Sequence, residues 1–284
     1  MVKILILLLS FGLSTLVTLL SDFPETWEVV LGIIGFGVAF ILVFAVIFFL
    51  IIGIFDLRVK KNEIPARYSK TYRRLYTIYQ SFLLSLFSVK LTVNGMDKVP
   101  NDTNFILLQN HRSNVDPIFT DFLFKKYPMI FVAKESLFKI PFFGKIVRHI
   151  GYVKLSRKSG MDDATEIVRG LRWVRSEECS LCVYPEGTRN KTYPNPKMLD
   201  LKEGSLAIAK KAGKPIVISA IHGTEKINDK LLMKIHKIQV DVVEVIEPEE
   251  YADLSVEELT AKVSKIMLDA VNNPLPKKEK TRLF

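Results

Sequence analysis

Two long apolar runs separate the N-terminal part of this chain from the alternating segments that follow. Residues 4–21 are uncharged and mostly Leu, Ile, Val and Phe, and residues 29–55 contain no charged residue. At 1.5 Å of rise per residue, the first run spans about 27 Å as a helix, which is marginally enough to cross the apolar core of a bilayer, and the second spans about 40 Å, which is more than enough. The pattern predicts a membrane anchor of two transmembrane helices over residues 1–57.

The first apolar run carries a face of small polar residues. Ser10, Ser14 and Thr18 recur every four residues, and small residues at this spacing let two membrane helices approach closely. A signal peptide is the alternative interpretation of this run because Lys3 precedes it, but no small-residue cleavage site follows. We favour an anchor whose two helices pack through this face.

The charges around the second run predict its orientation. The connection over residues 21–28 carries acids and no Lys or Arg, whereas seven Lys and Arg residues occur between residues 58 and 74. The positive-inside rule therefore puts the N-terminus and the large remainder of the chain in the cytoplasm. The same basic cluster, in a chain of formal net charge +10, would be drawn to anionic lipid headgroups.

Residues 58–88 form a basic and aromatic region with the spacing of one amphipathic helix. The stripe consists of Tyr68, Tyr72, Tyr76, Tyr79, Phe82 and Leu86. The basic start and apolar end suit a helix that lies in the membrane interface. The alternative is that the aromatic stripe packs into the core of a domain.

From Val89 onward, short apolar runs alternate with helical patterns. The predicted strands are 89–94, 105–109, 129–133, 152–155, 180–184, 215–221 and 235–246. The predicted helices are 117–126, 140–149, 161–176, 203–212 and 255–271, the last opening with the capping box Ser255-x-x-Glu258. Such alternation predicts an α/β domain over residues 89–273, with a mixed, largely parallel sheet flanked by helices. Residues 274–284 are predicted to be a mobile basic tail.

A histidine and an aspartate five residues apart form the first candidate site. His111 follows the apolar run 105–108, and Asp116-Pro117 resembles a helix start with Asp as the N-cap. Residues five apart on one helix point about 140° away from each other, so the pair can meet only if the chain turns at 113–114. The carboxylate would then orient the imidazole as a general base. A structural histidine at a strand end is the alternative.

A second candidate site follows the predicted strand 180–184. There the chain continues as Pro185-Glu186-Gly187-Thr188-Arg189. A glycine lets backbone N–H groups approach a ligand, and a guanidinium beside such donors suits a phosphate. A simple turn is the alternative. The C-x-x-C pair Cys179 and Cys182 has no second ligand pair, so no metal site is expected, and the default for these thiols is burial in a strand.

Taken together, the two motifs resemble those of the glycerolipid acyltransferases. Asn110-His111-x4-Asp116, followed about seventy residues later by Tyr184–Arg189, is most similar to the members that acylate 1-acyl-glycerol-3-phosphate to phosphatidic acid. Three further blocks also resemble the family: Gly151–Arg157, Leu201–Ser205 and Lys214–Ile218. This chain departs from the family pattern where Ser156 replaces an acid, where Tyr184 replaces the commoner Phe, and where strand 217–221 lacks a second proline.

The resemblance implies a reaction and a set of residue roles. His111, held by Asp116, would deprotonate the free hydroxyl of the acceptor, and the oxygen would attack the carbonyl of an acyl thioester. Arg157 and Arg189, with Gly187, Thr188 and Glu186 in support, would bind the acceptor's phosphate. Asn110 or nearby backbone N–H groups would stabilise the oxyanion.

The resemblance also implies the partners. Lysophosphatidic acid would be the acceptor, acyl-CoA or acyl-carrier protein the co-substrate, and membrane lipids the surroundings. No other cofactor, no metal and no nucleic acid is expected. The chain has no G-x-S-x-G motif to supply an enzyme nucleophile.

Other functions are compatible with parts of this pattern. An acyltransferase that uses another lysophospholipid or glycerol 3-phosphate would retain the same residues. A non-catalytic membrane protein that binds acidic lipids, or a lipid hydrolase, would be distinguished by assay. The remaining histidines, His149, His222 and His236, have no carboxylate at a comparable spacing, and we interpret them as structural or surface residues.

Overall fold

The computed structural model describes residues 2–21, 26–58, 68–86, 89–140, 143–156, 160–195, 197–228, 235–276 and 280–281. The chain divides into two compact units, one N-terminal, up to Glu63, and one formed by Ile64–Leu283. The N-terminal unit is therefore separate from the α/β part, as the change in hydrophobic pattern indicates.

The N-terminal unit is a helical hairpin of α1 (Val2–Leu20) and α2 (Thr26–Arg58). The small residues predicted to form its packing face are buried, and the Ser14 hydroxyl donates a hydrogen bond to the backbone oxygen of Ile33. Among the described residues, the segment Thr26–Phe44 is long and apolar enough to cross a membrane, and Ile6–Leu20 is a shorter apolar segment. The predicted helix packing is confirmed.

The second unit contains all eight strands and the remaining helices of the described chain. The strands are β1 (Val89–Asn94), β2 (Ile106–Gln109), β3 (Met129–Lys134), β4 (Val153–Leu155), β5 (Ser180–Val183), β6 (Ile216–His222), β7 (His236–Ile246) and β8 (Lys280–Thr281). The helices are α3 (Lys70–Leu86), α4 (Asp116–Leu123), α5 (Phe143–His149), α6 (Gly160–Arg175), α7 (Glu203–Ala212), α8 (Pro248–Tyr251) and α9 (Val256–Asn272). The capping box predicted at Ser255 is present.

All the strands join one mixed sheet in the order β4-β3-β5-β2-β6-β7-β1-β8. The first five strands in this order run parallel to one another, β7 pairs antiparallel with β6, and β1 runs parallel to β7. The predicted fold class is confirmed. Because β2 and β5 are parallel neighbours, the residues that follow them emerge at the same edge of the sheet.

The helices lie in two layers, one on each face of the sheet. Helix α3 packs with α4 and α5, whereas α7 packs with α6 and α9. Helix α4 leads from β2 toward β3 on one side, and α7 leads from β5 past β2 to β6 on the other. Since such crossovers are right-handed, α4 and α7 cover opposite faces. The connections after the neighbouring strands β2 and β5 leave toward opposite faces, and this opens a crevice at the carboxyl ends of the strands. In α/β folds, ligands bind in such a crevice.

Helix α3 belongs to the core of the second unit. Tyr76 and Leu84 are buried, and the Arg73 guanidinium forms an ion pair with the buried carboxylate of Asp121, at 2.6 Å. The Tyr76 hydroxyl lies 3.1 Å from that of Tyr152. Core packing, the alternative interpretation of the aromatic stripe, therefore holds for Tyr76, and the interfacial location of the region 58–88 stays a prediction. Residues 59–67 lie outside the described residues.

The C-terminal segment is attached to the sheet at two described points. The Leu275 backbone N–H donates to the Asp241 carboxylate at 3.0 Å, and Lys280–Thr281 pair antiparallel with β1. The prediction of a wholly mobile tail is wrong at these positions, because β1 offers an otherwise unpaired strand edge that the tail can cover.

Candidate active site

The loops after β2 and β5 meet at one edge of the sheet. Leu108 pairs with Val183, so the two strands end side by side. His111 lies two residues beyond the end of β2, and Tyr184 follows β5 directly. Sequence position separates the two motifs by about seventy residues, and the parallel pairing of β2 and β5 brings them together.

The predicted His111–Asp116 pair is formed. The ring Nδ1 of His111 lies 2.9 Å from Oδ2 of Asp116, and the same oxygen accepts the backbone N–H groups of Arg112 at 2.7 Å and Ser113 at 2.8 Å. Asp116 is fully buried. The chain turns between the two residues as predicted, but Val115, not Asp116, is the N-cap, and Asp116 is the first residue of α4. The carboxylate folds back over the loop instead of capping the helix.

The remaining contacts of His111 define which ring nitrogen can react. The imidazole stacks on Tyr184, with ring centroids 4.2 Å apart and planes at 21°. Its side chain is 16% exposed, which is enough for one edge to reach a substrate. Since Nδ1 donates its proton to Asp116, the neutral ring has Nε2 as its proton acceptor. The arrangement is suited to general-base catalysis.

Glu186 connects the two motifs through its carboxylate. Its carboxylate accepts the backbone N–H of His111 at 2.7 Å and that of Leu199 at 2.8 Å, and it is 1% exposed. Burial raises the pKa of Glu186, and the two backbone hydrogen bonds oppose that rise in part. The Asn190 N–H in turn donates to the His111 backbone oxygen at 2.8 Å. Glu186 was predicted to support phosphate binding, but in the structure each of its carboxylate oxygens accepts a backbone N–H group of the protein.

The loop after β5 needs its glycine for a turn. Gly187 has φ +70°, and its N–H donates to the Tyr184 oxygen at 2.9 Å. An L side chain is strained at this φ, and an added Cβ would lie 3.2 Å from Lys202 Cγ. The prediction that the Gly187 N–H faces a phosphate is therefore corrected, because the turn uses it. Thr188 is exposed and Arg189 is partly exposed on this loop.

The candidate oxyanion donors are engaged within the protein. The Asn110 amide donates to the Ile221 backbone oxygen at 3.0 Å and accepts the Ile221 N–H at 2.7 Å, and the residue is 1% exposed. Asn110 therefore supports the junction of β2 and β6. The backbone N–H groups of His111, Arg112 and Ser113 face carboxylates, so these donors, like the Asn110 amide, are engaged by acceptors of the protein itself.

Arg157 lies outside the described residues, but its neighbourhood is held by an ion-pair network. The Glu166 carboxylate binds Arg148 through two hydrogen bonds of 2.7 Å and lies 3.1 Å from Arg169. Burial acts to raise the pKa of Glu166, but the hydrogen bond from Arg148 and the charges of Arg169 and Arg148 outweigh it, so this pKa is lowered. The network joins α6 to α5, and the Lys154 backbone N–H of β4 also donates to the Glu166 carboxylate at 3.4 Å.

Sequence reasoning missed two groups at this edge. Arg112 is buried, its guanidinium lies 4.2 Å from the centroid of the Tyr193 ring, and Nη1 lies 3.6 Å from the Glu225 carboxylate. His222 Nε2 lies 3.6 Å from Oδ2 of the buried Asp241. These partners are far apart along the chain, and the only local signal was the position of His222 at a strand end.

The described residues contain no group of three or more His, Cys, Asp or Glu side chains that could hold a metal ion. Cys179 and Cys182 are both free and buried, and burial raises the pKa of each thiol. A thiol held in its neutral form is a poor nucleophile and a poor metal ligand. The two cysteines are therefore part of the buried core.

Comparisons with known proteins agree with this geometry. Residues 90–222 match the family model described as Acyltransferase. The chain is 30% identical over 141 residues to the 1-acyl-sn-glycerol-3-phosphate acyltransferase of Borreliella burgdorferi, which covers 50% of this chain and 54% of the relative. It is 28% identical over 188 residues to the Escherichia coli enzyme of the same name, covering 65% and 74%. The chain thus spans about half to three quarters of these relatives.

A solved structure is also similar. The crystal structure of the 1-acyl-sn-glycerophosphate (LPA) acyltransferase PlsC from Thermotoga maritima superimposes with a TM-score of 0.58 at 26% identity, over 70% of this chain and 80% of that one. The matched family segment contains His111, Asp116 and the loop after β5. Residues 90–222 of this chain are therefore similar to the acyltransferase family in sequence, and the chain is similar in fold to one solved enzyme named as an acyltransferase.

Proposed function

We propose that this protein transfers a fatty acyl group from an acyl thioester to the sn-2 hydroxyl of 1-acyl-glycerol-3-phosphate, forming phosphatidic acid. The observation that carries the proposal is the His111–Asp116 hydrogen bond of 2.9 Å, built on a backbone to which the loop after β5 is directly bonded. The names of the similar enzymes support this acceptor.

The chemistry needs one base and no enzyme nucleophile. His111 Nε2 takes the proton of the acceptor hydroxyl while its oxygen forms a bond to the thioester carbonyl carbon, and the carbonyl electron pair moves to oxygen. When the tetrahedral intermediate collapses, the C–S bond breaks and the imidazolium returns the proton to the departing thiolate. The products are an ester and a free thiol. Asp116 holds the ring and stabilises its positive form.

Arg189 supplies the positive charge for the acceptor's phosphate in this proposal. It is partly exposed and follows the turn that Gly187 makes, one residue before Asn190, whose N–H binds the His111 backbone oxygen. If Arg189 anchors the phosphate on the loop that binds the His111 backbone, the acceptor hydroxyl would be held near Nε2 of His111. General-base help gives roughly 10²–10⁴-fold, so positioning must supply much of the remaining rate enhancement.

The first test is an acceptor panel. Membranes that contain the full chain receive labelled acyl-CoA or acyl-carrier protein together with lysophosphatidic acid, other lysophospholipids or glycerol 3-phosphate. We expect labelled phosphatidic acid as the main product. A stronger signal from another acceptor would assign that substrate instead, label released as fatty acid without acceptor would indicate a hydrolase, and no turnover with any pair would leave a lipid-binding role.

The phosphate role of Arg189 is tested by Arg189→Ala. We expect KM for the lysolipid to rise about tenfold or more while KM for the thioester changes less, because only the lysolipid phosphate loses its charged partner. Arg172→Ala, which removes an exposed arginine of α6, is the matched control and should leave both KM values unchanged. Equal losses for the two substrates would contradict the assignment.

We also propose that the hairpin anchors the protein in the membrane, with the acyltransferase domain on the cytoplasmic face. The length and apolarity of α2 and the excess of Lys and Arg after it support this topology. In sealed right-side-out vesicles, an added protease should leave the catalytic activity intact until the vesicles are opened. Loss of activity in sealed vesicles would reverse the orientation.

A further inference from the structure

The catalytic imidazole lies at the end of a row of aromatic rings. The Tyr184 ring stacks on that of His111 at 4.2 Å, and the Phe131 ring follows at 6.4 Å from Tyr184 with planes at 26°. These residues come from β2, β5 and β3, or directly follow them, and the three strands are neighbours in the sheet. Tyr184 is 8% exposed and Phe131 is 1% exposed, so the row is shielded from water.

Tyr184 restricts a tilt of the His111 ring that the hydrogen bond to Asp116 leaves free. The imidazole is attached through its Cβ and hydrogen-bonded through Nδ1, and a ring held at these two points can still tilt about the line that joins them. A nearly parallel aromatic face at 4.2 Å opposes that tilt. The π face also attracts a positive charge above it, most strongly where water is excluded. His111 becomes positive when it takes the acceptor's proton.

We infer that Tyr184 is a positioning residue that fixes the plane of the His111 ring and stabilises its protonated form during acyl transfer. This inference rests on the proposed function, because it assumes that His111 is the general base. It also accounts for the departure from the family pattern at this position: a Tyr ring offers the same π face as the commoner Phe.

Three charged residues next to His111 are held by contacts of their own. Asp116 faces its Nδ1, Glu186 binds its backbone N–H, and Arg112 is next in the chain and faces Glu225. Burial raises the pKa of the Tyr184 hydroxyl well above its ordinary value, so the ring stays neutral in ordinary assays. A change confined to the Tyr184 ring therefore leaves the charges of the site unchanged.

The test is the pH dependence of kcat/KM for Tyr184→Leu, Tyr184→Phe and the wild-type chain in membranes. We expect the acidic limb of the Tyr184→Leu profile to shift by about one pH unit to lower pH, since an imidazolium without the π face loses its proton more readily. The plateau should fall about tenfold, because a weaker and less ordered base transfers protons more slowly. Tyr184→Phe should keep the acidic limb at the wild-type pH and the plateau within about twofold of wild type.

Phe131→Leu is the matched control. It removes a ring from the same buried row without touching His111, so it should lower the thermal stability while leaving the acidic limb in place. A purely structural role of Tyr184 predicts that Tyr184→Leu behaves in the same way. An unshifted limb in a folded Tyr184→Leu protein, or an equal shift in Phe131→Leu, would overturn the inference.

A second arm covers the case in which Tyr184→Leu does not fold. Replacement of Tyr184 by a ring-fluorinated phenylalanine keeps the packing but weakens the negative face of the ring, and we expect a smaller shift in the same direction. An unchanged limb there would overturn the electrostatic part of the inference. Failure of the proposed function is distinguishable, because the wild-type chain itself would then show no acyl transfer, or transfer without an acidic limb.

Discussion

Two histidine–aspartate pairs occur at the same edge of the sheet, and only one of them is arranged for proton transfer. His111 and Asp116 are 2.9 Å apart, and every described partner of Asp116 Oδ2 belongs to the loop that carries His111. His222 and Asp241 are 3.6 Å apart. The Asp241 carboxylate instead accepts hydrogen bonds from Asn94 at 2.6 Å, from Gln239 and from the Leu275 backbone.

The difference shows that the role of a carboxylate near an imidazole depends on the other hydrogen bonds that the carboxylate accepts. Asp116 is bound to the loop that carries its histidine, because the carboxylate accepts the backbone N–H groups between them. Asp241 joins β1, β7 and the C-terminal segment, and its lone pairs are taken up by groups that hold the fold together. A histidine beside an aspartate is therefore not enough to identify a general base; the other partners of the carboxylate decide.

The largest expected effect separates the two histidines. His111→Ala should reduce acyl transfer by about 10³- to 10⁴-fold, since the proton acceptor is lost, while the protein still inserts into membranes. His222→Ala should keep kcat within about threefold of wild type. Turnover by the radiolabel assay checks both, and a loss in His222→Ala as large as that in His111→Ala would break the comparison and bring the second pair into the site.

An intermediate effect separates the two aspartates. Asp116→Asn should lower kcat by roughly 10²-fold or more, because the amide no longer stabilises the imidazolium or enforces its tautomer. Asp241→Asn should lower the free energy of unfolding by about 2 kcal/mol, through loss of charge-assisted hydrogen bonds, with nearly normal activity per folded molecule. The activity and the denaturant unfolding of each variant are measured side by side. A loss of stability in Asp116→Asn together with a loss of activity in Asp241→Asn would contradict the prediction.

The smallest effect concerns the pH dependence of stability. Burial acts to raise the pKa of Asp241, but the groups that face it, His222, Asn94, Leu275 and Gln239, outweigh burial, so this pKa is lowered. A lowered pKa means that the carboxylate stabilises the fold above the ordinary aspartate pKa of about 3.9, and that this stabilisation is lost as the pH falls below it. The stability difference between wild type and Asp241→Asn should therefore be constant near neutrality and shrink below about pH 4.

Much of this architecture could be predicted because its signals are local. The hairpin followed from two uncharged runs, the α/β class from alternation of strand and helix patterns, and the α9 start from the capping box at Ser255. The His111–Asp116 pair could be predicted because the five-residue spacing required only a turn. The N-cap of α4 was displaced by one residue, since the Asp116 carboxylate binds the loop before it and not the helix that follows.

Two of the errors share one physical cause, which is that a side chain's partner was far away in sequence. Glu186 was expected to face a phosphate, but it binds the backbone of His111, 75 positions away. Asn110 was expected near an oxyanion, yet it bridges to Ile221, 111 positions away. In both cases a buried polar group found a partner across neighbouring strands, as burial requires.

The amino-acid sequence by itself determined the hydrophobic periods, the turn residues and the motifs, because each depends on residues within about one or two turns of chain. The tertiary structure alone decided that β5 lies beside β2 and that Tyr184 covers His111. It also decided that α3 packs into the core and that the Asp241 carboxylate is hydrogen-bonded by groups that hold the fold together. These contacts depend on strand order, and strand order is a property of the whole packed sheet, not of any segment in it.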